Sequence, residues 1–585
     1  MREEIYPKLK QLIAQQEFSL LEKECQLILL DNPNNTTVLQ YLGLAYTNLN
    51  KIEQAEQVFL SIVKLQPSSL AAHLNLARFY KFKKNYELSF KYYSNCIELN
   101  KDDYALCNEL AEFLISNSKL DEAEILLINT ISKHKNKDVS YYNLGIIYLQ
   151  KNSLVTALNF FNEAELINQE NLSTKKYIFH ILLKLERRTE IIERCLFLIK
   201  QKPHFIDSYI YLINAYVAKG DQINAKQYLM QAIAIKPNHP ELVRLNVLLN
   251  KIDGAGDYVT NVISCFDNSS VITDKIVFGY ALAKIFEDSK DYKQASTWIK
   301  KSNKLKEETY PHYRLEQHLD QFDVLVNFFK NYYQELKDKK SKLEKVPIFI
   351  VGMPRSGSTL VEQILSAHSK ISSAGETSAF SEAVEKMIEA PDTIIFCDTI
   401  QKSSAHLFQD IGELYLKQLE INNVNQGSFF TDKMLLNFKL LPLIKLCFPS
   451  SKIIHCTRNS KDVCTSILKT NFDGYLPWAY DEKSLVAFYK KYQKTMMEYN
   501  NILSNEIYEV SYEQLVNDHE HEINKLVTFC DLEVEDSCYK FFENKRDVNT
   551  ASILQVRRKI YTSSINYWKN FAPYFSEMYD CLEKI

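Results

Sequence analysis

The segment from Ile348 to Leu360, IFIVGMPRSGSTL, gathers residue types that together can bind an anion. Ile348, Phe349, Ile350 and Val351 are expected to form a short buried strand. Gly352-Met353-Pro354-Arg355-Ser356-Gly357-Ser358-Thr359 follows as a turn rich in Gly, Pro and Ser, and LVEQIL resumes with helical apolar spacing. In a strand–turn–helix of this kind the N–H groups of the turn and first helical turn lack intrahelical partners and converge on one spot. Gly352 and Gly357 let the backbone come close to a ligand. Arg355 adds a planar, permanent cation, and Ser356, Ser358 and Thr359 add hydroxyl donors.

Three readings of this loop compete. GxxxxG followed by Ser-Thr mimics the nucleotide-phosphate loop GxxxxGK[ST], but Ser358 stands where its lysine must be. A second reading is a cradle for a smaller phosphosulfate group. The third is a tight turn with no ligand, which would not call for Arg beside so many hydroxyls. Further along, Glu376 in SSAGETSAF follows Gly375 and precedes Thr377 and Ser378, which suit a helix cap. A carboxylate placed there is a candidate general base, or a surface or capping residue. Asp432-Lys433 follows Phe429-Phe430 at an expected strand end. A strand over Lys452–Cys456 leads through Thr457 to Arg458 and then to a helix holding Ser466. Arg458 and Ser466 can grip a further phosphate; alternatively, Arg458 pairs with Asp462. Arg458 also occupies the place where an NTPase often has a Mg²⁺-binding Asp. His368 and His455 are expected to be packed rather than catalytic.

The elements that must carry these residues follow from composition and periodicity. The chain has 585 residues, so several domains are expected, and its net charge of -3 argues against bulk nucleic-acid binding. Gly (12) and Pro (14) are scarce, which favours helices. Twelve scattered cysteines form no CxxC pair and no metal-ligand set, so reduced thiols and no metal are expected. MREEIYPKLKQLI lacks a long uncharged apolar region and no run reaches membrane-span length, so a cytoplasmic chain with no membrane span is expected.

A period of 34 runs from Thr36 onward. Gly43, Ala77, Ala111 and Gly145 recur at that step, as do Ala55, Ser89, Ala123, Ala157 and, two steps on, Ala225. Tyr46, Tyr80, Tyr148 and Tyr216 keep one register; Pro67, Pro203 and Pro237 keep another. The pattern resembles the tetratricopeptide repeat, with units at 36–69, 70–103, 104–137, 138–171, 172–205 and 206–239 and a helix pair before them. Phe179 and Ile191 fill the small positions of unit 172–205, so looser or differently angled packing is expected there. The register falters at Asp253–Gly256, and a further helix pair is expected over 280–308 with Ala283 and Ala295 as its small contacts. One or two connecting helices should span 313–345, ending in the solvated charged run KDKKSKLEK. Such solenoids offer a concave face to a peptide or protein partner, or serve only as structure.

PRSGSTL, the AGET turn, the TDK strand end and the RNSKDVCTS segment together resemble a sulfotransferase using 3′-phosphoadenosine-5′-phosphosulfate. Among these the sequence is similar to the tyrosylprotein sulfotransferases and to bacterial proteins that join tetratricopeptide repeats to such a domain. The resemblance implies an all-α repeat solenoid over 1–312, a helical connector over 313–345, and a P-loop-like α/β domain with a central parallel sheet over 346–585. It implies that Arg355, Ser356, Gly357, Ser358 and Thr359 hold the phosphosulfate, and that Glu376 is the base. Lys433 would stabilise the leaving phosphate, Arg458 and Ser466 would hold the 3′-phosphate, and Tyr512 and Ser552 would contact the adenosine side. Two positions depart from the family pattern. Tyr567 stands where a basic residue precedes Trp568, and Thr470, beside Lys469, stands where a basic contact follows Ser466; Arg557, Arg558, Lys559 or Lys569 are candidates to compensate. The acceptor is then a hydroxyl of a tyrosine, a sugar or a small phenol, with the aromatic stretch 477–492 as a candidate acceptor-side wall. The rival expectations are a repeat scaffold with a non-catalytic nucleotide-binding domain, and a nucleotide phosphotransferase.

Overall fold

The computed structural model describes residues 5–135, 137–404, 406–421, 427–543 and 560–583. Two compact units, 1–178 and 179–585, make up the chain. The first is built of helix pairs: Ile5–Ala14 with Phe18–Asp31, Thr36–Asn48 with Ile52–Leu65, Leu70–Phe82 with Tyr86–Leu99, Tyr104–Ser116 with Leu120–Lys133, and Asp138–Gln150 with Leu154–Ile167. Asn35, Ser69, Asn85 and Asp103 start helices by accepting a backbone N–H three residues on. The small-residue period has a direct cause: a Cβ on Gly43 would lie 2.7 Å from the Phe59 ring of the paired helix. The turn inside each pair carries one residue of positive φ. These are Gln16, Asn50, Lys84, Ser118 and Asn152, then Glu186 and Gly220, at a constant step of 34. The period therefore reaches back to the first helix pair. The next such turn residue in the array is Lys290, 70 residues after Gly220, so two residues have been added to two repeat lengths across the stretch that includes Asp253–Gly256.

The boundary between the units, after Ile178, falls in the repeat whose small positions hold Phe179 and Ile191, both buried. Within the second unit the repeats continue through Ile206–Lys219 and Gln222–Ile235 to the hairpin α1 (Ile272–Asp288) and α2 (Tyr292–Glu308), with Ala283 and Ala295 buried. One long helix, α3 (Leu315–Lys337), forms the connection. The charged run after it is solvated at Lys337, Asp338, Lys340, Lys342 and Glu344 but helical only at Lys337, and Ser341 is buried, its N–H donating to the Leu446 carbonyl at 2.9 Å and its hydroxyl to Gln409 at 2.7 Å.

A five-stranded parallel sheet follows, of β1 (Val346–Gly352), β2 (Ile371–Ser373), β3 (Phe429–Asp432), β4 (Lys452–Thr457) and β5 (Ile507–Ser511). Its order is β2-β3-β1-β4-β5. The pairings Phe349↔Asp432, Gly352↔Cys456 and Thr457↔Ser511 bring the carboxyl ends of β1, β3, β4 and β5 to one edge, the usual ligand side of such sheets. The apolar core is continuous from the hairpin (Phe278, Trp298) through α3 (Phe322, Phe329) to the sheet (Phe349, Phe430). The array's last hairpin and the sheet are thus buried in one core. Among the described residues no helix is long and apolar enough to cross a membrane.

Candidate active site

The turn after β1 is shaped by its glycines. Gly352 (φ +148°) and Gly357 (φ +96°) lie where a Cβ would come within 2.6 Å of the Cys456 carbonyl and the Tyr512 ring, respectively. Gly357 caps α4 (Ser358–Ser366), and Ser356, Ser358 and Thr359 are buried beside it. Farther along the chain, α5 (Ala379–Ile388) precedes α6 (Ser460–Leu468), which carries Ser466, and Arg355 Nε donates to Ser466 Oγ at 3.0 Å. Arg458 donates from Nη1 to the Arg355 carbonyl at 3.1 Å and from Nη2 to the Ser564 carbonyl at 2.6 Å, and its guanidinium packs over Tyr512 at 4.6 Å. Burial, and then the neighbouring Arg458 cation, push the Arg355 guanidinium below its ordinary range. Arg355, Ser466, Arg458 and Tyr512 are therefore brought together from three strand ends. The alternative Arg458–Asp462 pair does not form: Asp462 accepts the N–H groups of Asn566 and Trp568, each at 2.8 Å. Ser356 Oγ and Arg458 Nε are buried with no hydrogen-bond partner among the described residues. Unsatisfied donors beside two half-buried arginines fit an anionic ligand.

A second cluster stands beside the loop. Lys433, only 1% exposed, donates to Glu376 and lies 3.7 Å from Glu362. The Lys433 N–H donates to the Gly375 carbonyl at 2.9 Å and Ala374 N–H to the Thr431 carbonyl at 2.8 Å, so the AGET turn is tied to the end of β3. Glu376 remains open to solvent, with 46% of its side chain exposed. Thr377 accepts the Ala379 N–H at the start of α5, so it supplies the capping contact; Ser378 instead bonds Glu382. Glu362 was not singled out from sequence. Its signal was an acid on the apolar face of LVEQIL: it is 3% exposed and accepts from the Ser373 hydroxyl at 2.7 Å. Asp432, fully buried, accepts from Tyr415 at 2.9 Å and from the Met434 N–H at 3.0 Å, and burial raises its pKa to about 7.

Both histidines are packed. His368 lies just past α4, with Nε2 on the Glu533 carbonyl at 2.9 Å. His455 bonds the Tyr492 hydroxyl, burial lowers its pKa to about 4, and with Met353, Ser356, Arg458, Tyr489 and Met496 it lines a cavity of about 410 Å³. Within the stretch 477–492, Tyr489 and Tyr492 line this cavity, while the rings of Trp478 and Phe488 are packed. Trp478 stacks on Phe488 at 3.8 Å and both are buried, because their apolar rings fill the space under α7 (Glu482–Ile502). Ser552, Arg557, Arg558 and Lys559 lie outside the described residues, and Lys569 is exposed. Tyr567 and Lys469 instead meet on Glu287 of α1, while the Thr470 hydroxyl donates to the Ser466 carbonyl at 2.7 Å.

Residues 347–536 match the family model of the sulfotransferase family, and 38–69, 70–103 and 214–239 match that of the tetratricopeptide repeat. An uncharacterized protein of Aquifex aeolicus (strain VF5) is 29% identical over 395 residues, covering 64% of this chain and 50% of its own. The chain thus spans about half the length of that relative. A Caenorhabditis briggsae protein named "Putative protein-tyrosine sulfotransferase" is 26% identical over 231 residues, 38% of this chain and 80% of its own. The sulfotransferase domain from the Synechococcus PCC 7002 olefin synthase aligns with TM-score 0.31 at 17% identity, covering 42% of this chain and 96% of that one. The pilF protein of Pseudomonas aeruginosa aligns with TM-score 0.29 at 20% identity, covering 35% and 94%. The chain joins N-terminal tetratricopeptide repeats to a domain of the sulfotransferase family.

Proposed function

We propose that the chain moves the sulfuryl group of 3′-phosphoadenosine-5′-phosphosulfate to a hydroxyl acceptor, with tyrosine in a peptide or protein as the acceptor class. The observation that carries this reading is the convergence of Arg355, Ser466 and Arg458 around the unsatisfied Ser356 Oγ and Arg458 Nε. One anion on the β1 loop and a second at the β4 end match a ligand with phosphates on both sides of a ribose.

The bound co-substrate supplies the transferable group. The loop amides, Arg355 and Ser356–Thr359 bind and orient the phosphosulfate, and Arg458 with Ser466 holds the 3′-phosphate. Tyr512 and Ser552 take the adenosine side. Lys433 turns from Glu376 toward the bridging oxygen and holds its developing charge. Glu376, exposed at the mouth of the site, then takes the acceptor proton. The rest of the work is in-line positioning, as in phosphoryl transfer. The repeat solenoid recruits the peptide or protein acceptor.

Calorimetric titration with adenosine 3′,5′-bisphosphate, adenosine 5′-monophosphate and ATP tests the reading. Tight binding of the bisphosphate alone is expected. Equal affinity for ATP would restore a nucleotide phosphotransferase.

A further inference from the structure

Tyr567, one of the two positions at which this chain departs from the family pattern, and Lys469, the neighbour of the other, end on one carboxylate of the repeat hairpin. Glu287, near the end of α1, accepts from Lys469 Nζ and from the Tyr567 hydroxyl, the latter at 2.6 Å. The ion-paired side chains are 12% (Glu287) and 18% (Lys469) exposed. Lys469 Nζ sits over the Tyr567 ring at 4.4 Å and the Phe571 ring at 5.3 Å, and Tyr292 of α2 meets Phe571 edge-on at 5.3 Å. A cation enclosed by rings and one carboxylate is held in place.

That place is at the anion site. Lys469 caps α6 three residues after Ser466, the residue that receives Arg355 Nε. Burial lowers the Lys469 pKa against the pull of Glu287, and the Arg355 cation lowers it further, so the two cations feel each other. Glu287 lies close enough to act on Arg355 in turn. Burial opposes ionisation of Glu287, yet the charge and hydrogen bond of Lys469 hold its carboxyl below the usual range. Without Glu287, repulsion from Arg355 would drive the flexible Lys469 side chain away from the site.

We propose that Lys469 is a third cation for the phosphate held by Arg458 and Ser466, and that Glu287, carried by the repeat array's last hairpin, is its positioning residue. The inference rests on the bisphosphate-ligand reading above. It makes the repeat hairpin a built part of the co-substrate site rather than a tether. A merely structural ion pair would affect stability and leave ligand discrimination alone.

The test uses the full chain carrying Lys469→Met, Lys469→Arg, Glu287→Gln, or Lys469→Met with Glu287→Gln. Each is titrated with adenosine 3′,5′-bisphosphate and adenosine 5′-monophosphate, with a thermal midpoint as the folding control. Lys469→Met should weaken the bisphosphate roughly 10- to 100-fold and the monophosphate less than about 3-fold, as loss of one charge-assisted contact requires. Lys469→Arg should retain most of the discrimination, which keeps the test valid if the methionine variant does not fold. Glu287→Gln should weaken the bisphosphate roughly 3- to 10-fold and add nothing in the Lys469→Met background. Equal losses for both ligands, no loss, tighter binding in Glu287→Gln, or additive effects would overturn the assignment. A wild-type chain with no preference for the bisphosphate would instead sink the proposed function, and is read before any variant.

Discussion

Arg355, in the turn after β1, donates from Nε to Oγ of Ser466 on α6 at 3.0 Å, across 111 residues of sequence. This contact joins two strand–turn–helix units, so the proposed co-substrate would span both. Removing Arg355 takes away charge-assisted donors that the backbone amides cannot replace. Arg355→Ala should weaken adenosine 3′,5′-bisphosphate by about 1.5–3 kcal/mol, and Ser466→Ala by less. In a calorimetric double-mutant cycle the two losses should fall short of their sum by at least about 0.5 kcal/mol. Strict additivity would mean that the two residues serve separate ligands.

Gly357 is fixed by backbone and by space. Its φ of +96° disfavours any Cβ, and one placed there would lie 2.6 Å from the Tyr512 ring on which Arg458 packs. Gly357→Ala should cost about 1–2 kcal/mol in conformation alone. It should also displace Tyr512 and weaken the bisphosphate. The checks are denaturation midpoints and titration; a variant unchanged in both would show that the turn can relax.

Asp432 makes stability depend on pH. An unfolded aspartate titrates near 3.9, whereas burial lifts Asp432 to about 7. Between those values the folded state binds more protons than the unfolded one, so this group's contribution falls as pH rises through the window. The loss is at most about 4 kcal/mol and is complete above the folded pKa. Asp432→Asn keeps an acceptor oxygen for the Met434 N–H, presents an amide N–H to the Tyr415 oxygen, and removes the titration. Urea midpoints of wild type and variant from about pH 4.5 to 8 should diverge, with the variant gaining relative stability as pH rises. A constant difference would mean that Asp432 ionises normally.

What was legible in the sequence was what local chemistry dictates. The 34-residue period follows from close helix contacts such as Gly43 on Phe59, and β1 and β4 are central strands whose apolar runs are buried on both faces. The edge strands escaped notice because Ile371–Ser373 is three residues long and Ile507–Ser511 alternates with polar residues. Glu287 could not be found, because its partner Lys469 lies 182 residues away and no local pattern marks the pair. Glu362 was hidden as one acid in an apolar helix. The aromatic stretch around Trp478 divides between core and cavity, which aromatic content alone does not reveal: Trp478 stacks on Phe488, whereas Tyr489 and Tyr492 line the cavity with Ser356 and Arg458.

Glu376 and Lys433 hold each other at the mouth of the site, and that pairing sets the last prediction. Lys433 lies between Glu376 and the buried Glu362, so a ligand phosphate that draws the ammonium toward itself would release Glu376. The base is then unmasked only when co-substrate is bound. Glu376→Gln preserves the shape and the acceptor for Lys433 but cannot take a proton. Affinity for adenosine 3′,5′-bisphosphate should barely change, while the single-turnover rate of labelled sulfate transfer should fall roughly 10²- to 10⁴-fold. Glu376→Ala should be no faster. His455→Phe, which removes the hydrogen bond to Tyr492, should lower the denaturation midpoint and leave the transfer step within about 3-fold. A Glu376→Gln enzyme at near wild-type rate would remove the carboxylate from the chemistry. If His368→Ala or His455→Phe were dead in the same assay, the base would be a histidine.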